Sequence, residues 1–147
     1  GKKCNCLRCR EVGHQAVKKP TAPHLFIDEY EASGGKEKFL SFEDKNRNVV
    51  YAFCRLRINK EQYDNNKAIY PAYIRELHTY GQMLEIGKKD KVASQHKGLG
   101  KKLIKEAEKI AKKNKVDKLA VISGVGVRGY YRKWGYRLEN GYMVKKI

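Results

Sequence analysis

Apolar and polar residues alternate cleanly over residues 49–58. Val50, Ala52, Cys54, Leu56 and Ile58 share one side, the two-residue period of a half-buried strand. Residues 24–33 and 37–44 carry the same signal on either side of a tight turn at Gly34 and Gly35, and Asn46, Arg47 and Asn48 make a second turn. These three segments predict an antiparallel meander. Residues 59–70 are polar and read as a loop. Residues 72–80 predict another strand, continued through 82–86 after Gly81, and residues 87–91 a charged loop. The period then lengthens. Over residues 100–115, Leu103, Ile104, Ala107, Ile110 and Ala111 form one stripe, which predicts an amphipathic helix. Residues 119–122 follow as a short buried strand, 123–126 as a turn and 128–133 as a short helix. Asn140 and Gly141 predict a two-residue hairpin turn between 136–139 and 142–147. A meander followed by a strand–helix–strand unit predicts the α+β class with a mixed sheet.

Composition and charge change the picture in two ways. First, 33 Lys and Arg against 16 Asp and Glu leave a formal charge of +17, which points to a polyanionic partner, most simply nucleic acid. Second, three of the four cysteines, Cys4, Cys6 and Cys9, crowd into six positions, as metal thiolates do in a reducing compartment. Cys54 falls on the apolar side of its strand and reads as core. Pro20, Pro23 and scarce apolar residues make 1–23 an appendage and linker ahead of a main domain at 24–147. The 147 residues leave room for little else. No stretch reaches the ~20 apolar residues of a membrane span, and residues 1–20 lack the apolar core of a signal peptide. A cytoplasmic protein without a membrane partner is the expectation.

Gln95, Lys97, Gly98 and Gly100 lie in a loop that opens the strong helix. Glycines let the backbone turn tightly beside a ligand, and the amides around Gly98, Gly100, Lys101 and Lys102 are unpaired helix N-terminal donors suited to a pyrophosphate. On the strand at 72–80, Ile74, Glu76, His78 and Tyr80 are expected on one face and Arg75, Leu77 and Thr79 on the other. Glu76 is thus a candidate base with His78 beside it, against the plainer account of a Glu76–arginine pair and a satisfied histidine. Tyr130 and Tyr131 point about 100° apart on a helix, so one belongs to the core and the other to a site.

The loop opening an amphipathic helix, the buried strand and the aromatic helix ending in Gly135 and Tyr136 resemble the GNAT superfamily of N-acetyltransferases. More closely, the run Ser123 to Arg128, the run Tyr130 to Tyr136, the run Ile74 to Gly81 and the opening Cys4 to His14 resemble the acetyltransferase domain of the catalytic subunit of Elongator, over nearly the whole chain. The resemblance departs at two places. The family's radical-SAM domain, with its Cys-x3-Cys-x2-Cys iron–sulfur motif and S-adenosylmethionine, is missing. Only a glycine turn also stands where GNAT enzymes insert two helices between their first strands.

The resemblance implies a GNAT-like sheet with a central acetyl-coenzyme A unit, preceded by a small zinc-binding segment. It implies acetyl-coenzyme A as cofactor and the wobble uridine of tRNA as acceptor, with the radical-SAM domain as partner. The loop would hold the pyrophosphate, and the edge formed by Leu77, His78, Thr79 and Tyr80 the pantetheine and acetyl group. Tyr131, with Tyr130 in reserve, would serve as acid for the departing thiolate or as coenzyme contact. Cys4, Cys6 and Cys9 would bind zinc, with His14, His24 or a group from another part of the protein as fourth ligand. From charge alone, the uncompensated Arg8, Arg10, Lys18 and Lys19 near the cysteines are the candidate RNA contacts. Acidic residues accompany Lys105, Lys109 and Lys118, which favours a plain solvated face for the helix at 100–115. The rival readings are a lysine acetyltransferase acting on protein and a non-catalytic zinc-containing RNA-binding module.

Overall fold

The computed structural model describes residues 4–14, 21–59, 70–80 and 98–147. A short helix α1 (Leu7–Arg10) and a 3-10 turn (Val12–His14) precede the meander β1 (His24–Ala32), β2 (Gly35–Glu43) and β3 (Val50–Asn59). Then come β4 (Ala72–Thr79), helix α2 (Leu99–Lys113), β5 (Lys118–Val121), a 3-10 turn (Val125–Val127), helix α3 (Arg128–Arg132) and the hairpin β6 (Arg137–Glu139) and β7 (Tyr142–Lys146). The strands form one mixed sheet in the order β1-β2-β3-β4-β5-β7-β6. Among the described strands, only β4 and β5 pair in parallel, with α2 in the connection between them. Among the described residues no helix is long and apolar enough to cross a membrane.

The core lies under α2. Leu99, Leu103, Ile104, Ala107, Ile110 and Ala111 pack on Leu40, Ala52, Cys54, Leu56 and Ile74. Burying each of the larger side chains is worth roughly 1.5–3 kcal/mol, so this helix is held by its face. A smaller aromatic cluster of Tyr70, Tyr73, Ala120 and Val144 covers the other side of β4 and β5.

Two local features depart from the sequence expectation. The first hairpin turns at Ser33 and Gly34, both with positive φ, while Gly35 is already the first residue of β2. Gly35 is needed for space, since a Cβ there would stand 2.9 Å from Arg57 Nη2 and from the Ile58 carbonyl. The second is a bulge in β4: Ile74 pairs with Leu56 and Glu76 with Arg55, so Arg75 is the extra residue. The bulge moves Ile74 onto the α2 face with Leu77 and Thr79. Glu76 and His78 keep the opposite face.

Residues 4–14 dock on the sheet. Val12 is buried in the main core and Glu11 bridges to Val50. Arg10 Nη1 donates to the fully buried Glu43 carboxylate at 2.6 Å and to the Arg47 carbonyl at 2.9 Å.

Candidate active site

The parallel ladder between β4 and β5 stops early. It runs from Ala72 and Leu119 to Ile74 and Val121, closed by the Ile122 amide donating to the Ile74 carbonyl at 3.0 Å. Beyond that, β4 continues to Thr79, while the chain leaving β5 turns aside into the Val125–Val127 turn and α3. The two strands part, and a cavity of about 240 Å³ opens between them, lined by Leu77, Thr79, Val127, Tyr130 and Tyr131. The backbone of β4 past Ile74 has no strand partner on this side among the described residues.

The N-terminus of α2 stands at the same place. Gly98 caps it in the left-handed region at φ 82°, and no side chain caps the first-turn amides. A Cβ on Gly98 would meet nothing within 4 Å. One on Gly100 would stand 2.8 Å from the Tyr130 hydroxyl and 3.2 Å from Thr79 Cγ2. Free amides, the positive end of a 15-residue helix and open space at Gly98 suit an anionic group carried by a ligand whose other end enters the cavity. The residues present therefore fit a thioester coenzyme with a pyrophosphate.

Both tyrosines line the cavity, where the sequence reading gave one to the core and the other to the site. Tyr131 is 5% exposed, packs in the main core and still reaches the cavity wall. Burial, with smaller contributions from Cys54 and Tyr130, pushes its hydroxyl up to about 12. Tyr130 is half-exposed, with its hydroxyl over Gly100, and burial raises its pKa too. Trp134 closes this corner, edge-on to Tyr130 and with Lys101 Nζ 4.5 Å above its ring.

Glu76 and His78 stand on the far face of the sheet. Glu76 accepts from Arg55 at 3.3 Å and lies 3.2 Å from His78 Nε2, while His78 stacks on Phe53 at 5.2 Å and near Tyr80. Leu77, Thr79, Tyr130 and Tyr131 come together at the cavity, Gly100 lies against Tyr130 and Thr79, and Gly98, Lys101 and Lys102 stand in the adjoining helix turn. Gln95, Lys97, Lys18 and Lys19 lie outside the described residues. Sequence reasoning missed Val127 as a site residue; its one local signal is its place in the glycine-containing run from Ser123 to Arg128.

The cysteine cluster forms a second site. The sulfurs of Cys4, Cys6 and Cys9 lie within 4.8 Å of one another. A tetrahedral zinc with bonds of about 2.3 Å needs thiolates about 3.8 Å apart, so the three fit such an ion. The Cys9 amide donates to Cys6 Sγ at 3.5 Å, which is the main cause lowering the Cys6 thiol to about 7. The bond from Cys6 raises Cys9 to about 11. His14 lies 3.7 Å from Glu11 and does not join the three sulfurs. Of the two arginines here, Arg10 is engaged by Glu43, while Arg8 lines a shallow cavity with Cys9 and His14.

No family model matches the chain. Curated relatives do. A tRNA uridine(34) acetyltransferase of Dehalococcoides mccartyi is 46% identical over 99% of this chain and 33% of its own length. Elongator complex protein 3 of Danio rerio is 41% identical over all of this chain and 28% of its own. The solved structure of Elp3 from the archaeon Methanocaldococcus infernus, with an N-terminal deletion, superposes with a TM-score of 0.81 at 43% identity, over 98% of this chain and 35% of that one. The chain belongs to the Elp3 family. It spans about a third of the length of the family members it matches. The mixed sheet described above agrees with the fold of the archaeal member.

Proposed function

We propose that this chain is the acetyl-coenzyme A-binding acyltransferase unit of a tRNA wobble-uridine modifying enzyme, with a GNAT arrangement of its sheet. The observation that carries the reading is the cavity between the parting ends of β4 and β5, set at the uncapped N-terminus of α2. The pyrophosphate takes the amides beyond Gly98. The pantetheine arm runs along β4 and places the thioester among Leu77, Thr79 and the tyrosines. The names of the relatives support tRNA as acceptor. S-adenosylmethionine and an iron–sulfur cluster belong to the radical-SAM domain that the family carries elsewhere.

When the nucleophile attacks the acetyl carbonyl, the C–S bond breaks and negative charge gathers on sulfur. Tyr131 meets that charge as a donor. With its hydroxyl held near 12, full proton transfer to a thiolate of ordinary pKa near 8.5 would cost about 5 kcal/mol, so a hydrogen bond to the sulfur is its main contribution. The three cysteine thiolates would hold a structural zinc ion, a role that suits a segment already locked to the sheet by Arg10. A calorimetric titration with acetyl-coenzyme A tests the reading. One-to-one binding is expected, followed by thioester cleavage that tRNA stimulates. Absence of coenzyme binding would overturn it in favour of a non-catalytic RNA-binding module. Labelling of a peptide lysine in place of tRNA stimulation would make the acceptor a protein.

A further inference from the structure

We propose that the outer face of α2 is a contact surface for an RNA phosphate backbone, built from Lys102, Lys105, Lys112 and Lys113. The proposal rests on the reading of the chain as part of a tRNA-modifying enzyme. In sequence, two glutamates stand among the six lysines of α2. The structure takes the glutamates away. Glu108 turns inward to the Tyr136 hydroxyl at 3.0 Å and Lys145 Nζ at 2.9 Å. Glu106 is taken by Lys109 at 3.1 Å. Among the described residues, no carboxylate lies within ion-pair reach of Lys102, Lys105, Lys112 or Lys113, and all four are exposed.

Their placement is regular. At about 100° per residue, Lys102, Lys105, Lys109 and Lys112 fall within about 80° of arc, opposite the buried stripe. The row from Lys102 to Lys112 is about 15 Å long, the reach of several backbone phosphates. Like charges three and four residues apart each destabilise a helix by a few tenths of a kcal/mol, so the row is a cost to the free protein that a polyanion removes. Its N-terminal end lies in the helix turn whose Gly100 stands against Tyr130 and Thr79 of the cavity wall, so an RNA lying along α2 ends within one turn of the site proposed to present the acetyl group.

The test is filter binding of tRNA over a range of salt, comparing the wild-type chain with the Lys105→Gln/Lys112→Gln/Lys113→Gln variant. These side chains touch neither the cavity nor the core, so acetyl-coenzyme A affinity and far-UV circular dichroism should not change. Each lost phosphate contact lowers the log–log salt slope by about 0.7–0.9, so the slope should fall by about 2–3, with affinity at moderate salt down tenfold or more. The corresponding triple Lys→Glu variant should lose more. Unrelated RNA of the same length should bind equally well, because phosphate contacts carry no sequence. If the wild type binds tRNA and the triple variant keeps its affinity and slope, the stripe is refuted while the tRNA reading stands. If the wild type does not bind tRNA at low salt, the tRNA reading falls and the stripe falls with it.

Discussion

Gly98 and Gly100 look interchangeable in the sequence, yet the structure gives them different jobs, and alanine at each should separate the two. Gly98 sits at φ 82° with nothing near its missing Cβ. Alanine there meets no atom but must hold a left-handed backbone, which costs about 1–2 kcal/mol. Gly100 has ordinary helical geometry, so alanine is not strained, and helix propensity favours it by up to about 1 kcal/mol. What alanine meets is the Tyr130 hydroxyl at 2.8 Å and Thr79 Cγ2 at 3.2 Å. Tyr130 is partly exposed and shifts at little cost in stability, but its ring is part of the cavity wall, so the shift reshapes the cavity. Gly98→Ala should therefore lower the urea-unfolding free energy by about 1–2 kcal/mol. Gly100→Ala should leave that free energy within about 1 kcal/mol of wild type and weaken acetyl-coenzyme A binding by about tenfold or more. Intrinsic fluorescence follows the binding, since the only tryptophan, Trp134, stands edge-on to Tyr130 at 6.1 Å. A Gly100→Ala protein that binds the coenzyme as the wild type does would refute both the steric argument and the cavity.

Three further outcomes are expected. Tyr131→Phe should slow thioester turnover by about two to three decades, the usual loss for one donor to developing charge, with coenzyme affinity changed far less; an equal loss confined to Tyr130→Phe would move the role to its neighbour. Elemental analysis of protein purified without added metal should find one zinc per chain, lost on Cys6→Ser; iron with a visible absorbance, or no metal, would count against the thiolate site. Burial pushes the Cys54 thiol up to about 12, so the folded state keeps a proton that the unfolded chain releases above pH 9. The stability it contributes is whole below pH 9 and lost as pH rises toward 12, about 1.4 kcal/mol of it by pH 10, and a Cys54→Ala protein should lack that part of the alkaline decline.

The meander, α2 and the final hairpin were legible because each rests on a local period or a turn pair that few other structures satisfy. Asn140 and Gly141, both at positive φ, make the hairpin turn expected of them. The misplaced first turn shows the limit. Ser33 adopts the left-handed conformation that a glycine would be assigned, while Gly35 lies in β2, where Arg57 and Ile58, far along the chain, leave no room for a Cβ. The Arg75 bulge was illegible for the same reason, since it is a matter of register against β3 and leaves no local mark. It is also why the face assigned to Ile74 changed. The docking of Arg10 on Glu43 joins residues 33 positions apart, and no periodicity announces it. The site residues with local signatures, the loop glycines and the paired tyrosines, could be picked out; which tyrosine is buried could not, because that depends on the depth of a core built by α2 and β3.

The bulge also bears on the chemistry. With Leu77 and Thr79 toward the cavity, Glu76 and His78 lie across the sheet from any thioester seated there, and their polar atoms are bound to each other and to Arg55. A carboxylate in that position cannot take a proton from a nucleophile attacking within the cavity. The cavity wall among the described residues offers Tyr130, Tyr131 and Thr79 as its only polar side chains, and the tyrosines, both raised by burial, are donors at neutral pH. Such a site stabilises charge leaving on sulfur better than it activates an incoming amine, which itself must lose a proton to acylate. The arrangement therefore suits a unit that holds and presents an acetyl group to an acceptor activated elsewhere. It predicts that Glu76→Gln leaves tRNA-stimulated thioester cleavage nearly unchanged and costs stability through Arg55 instead. Loss of turnover in Glu76→Gln at wild-type stability and coenzyme affinity would return the base to β4 and overturn this division between the two faces of the sheet.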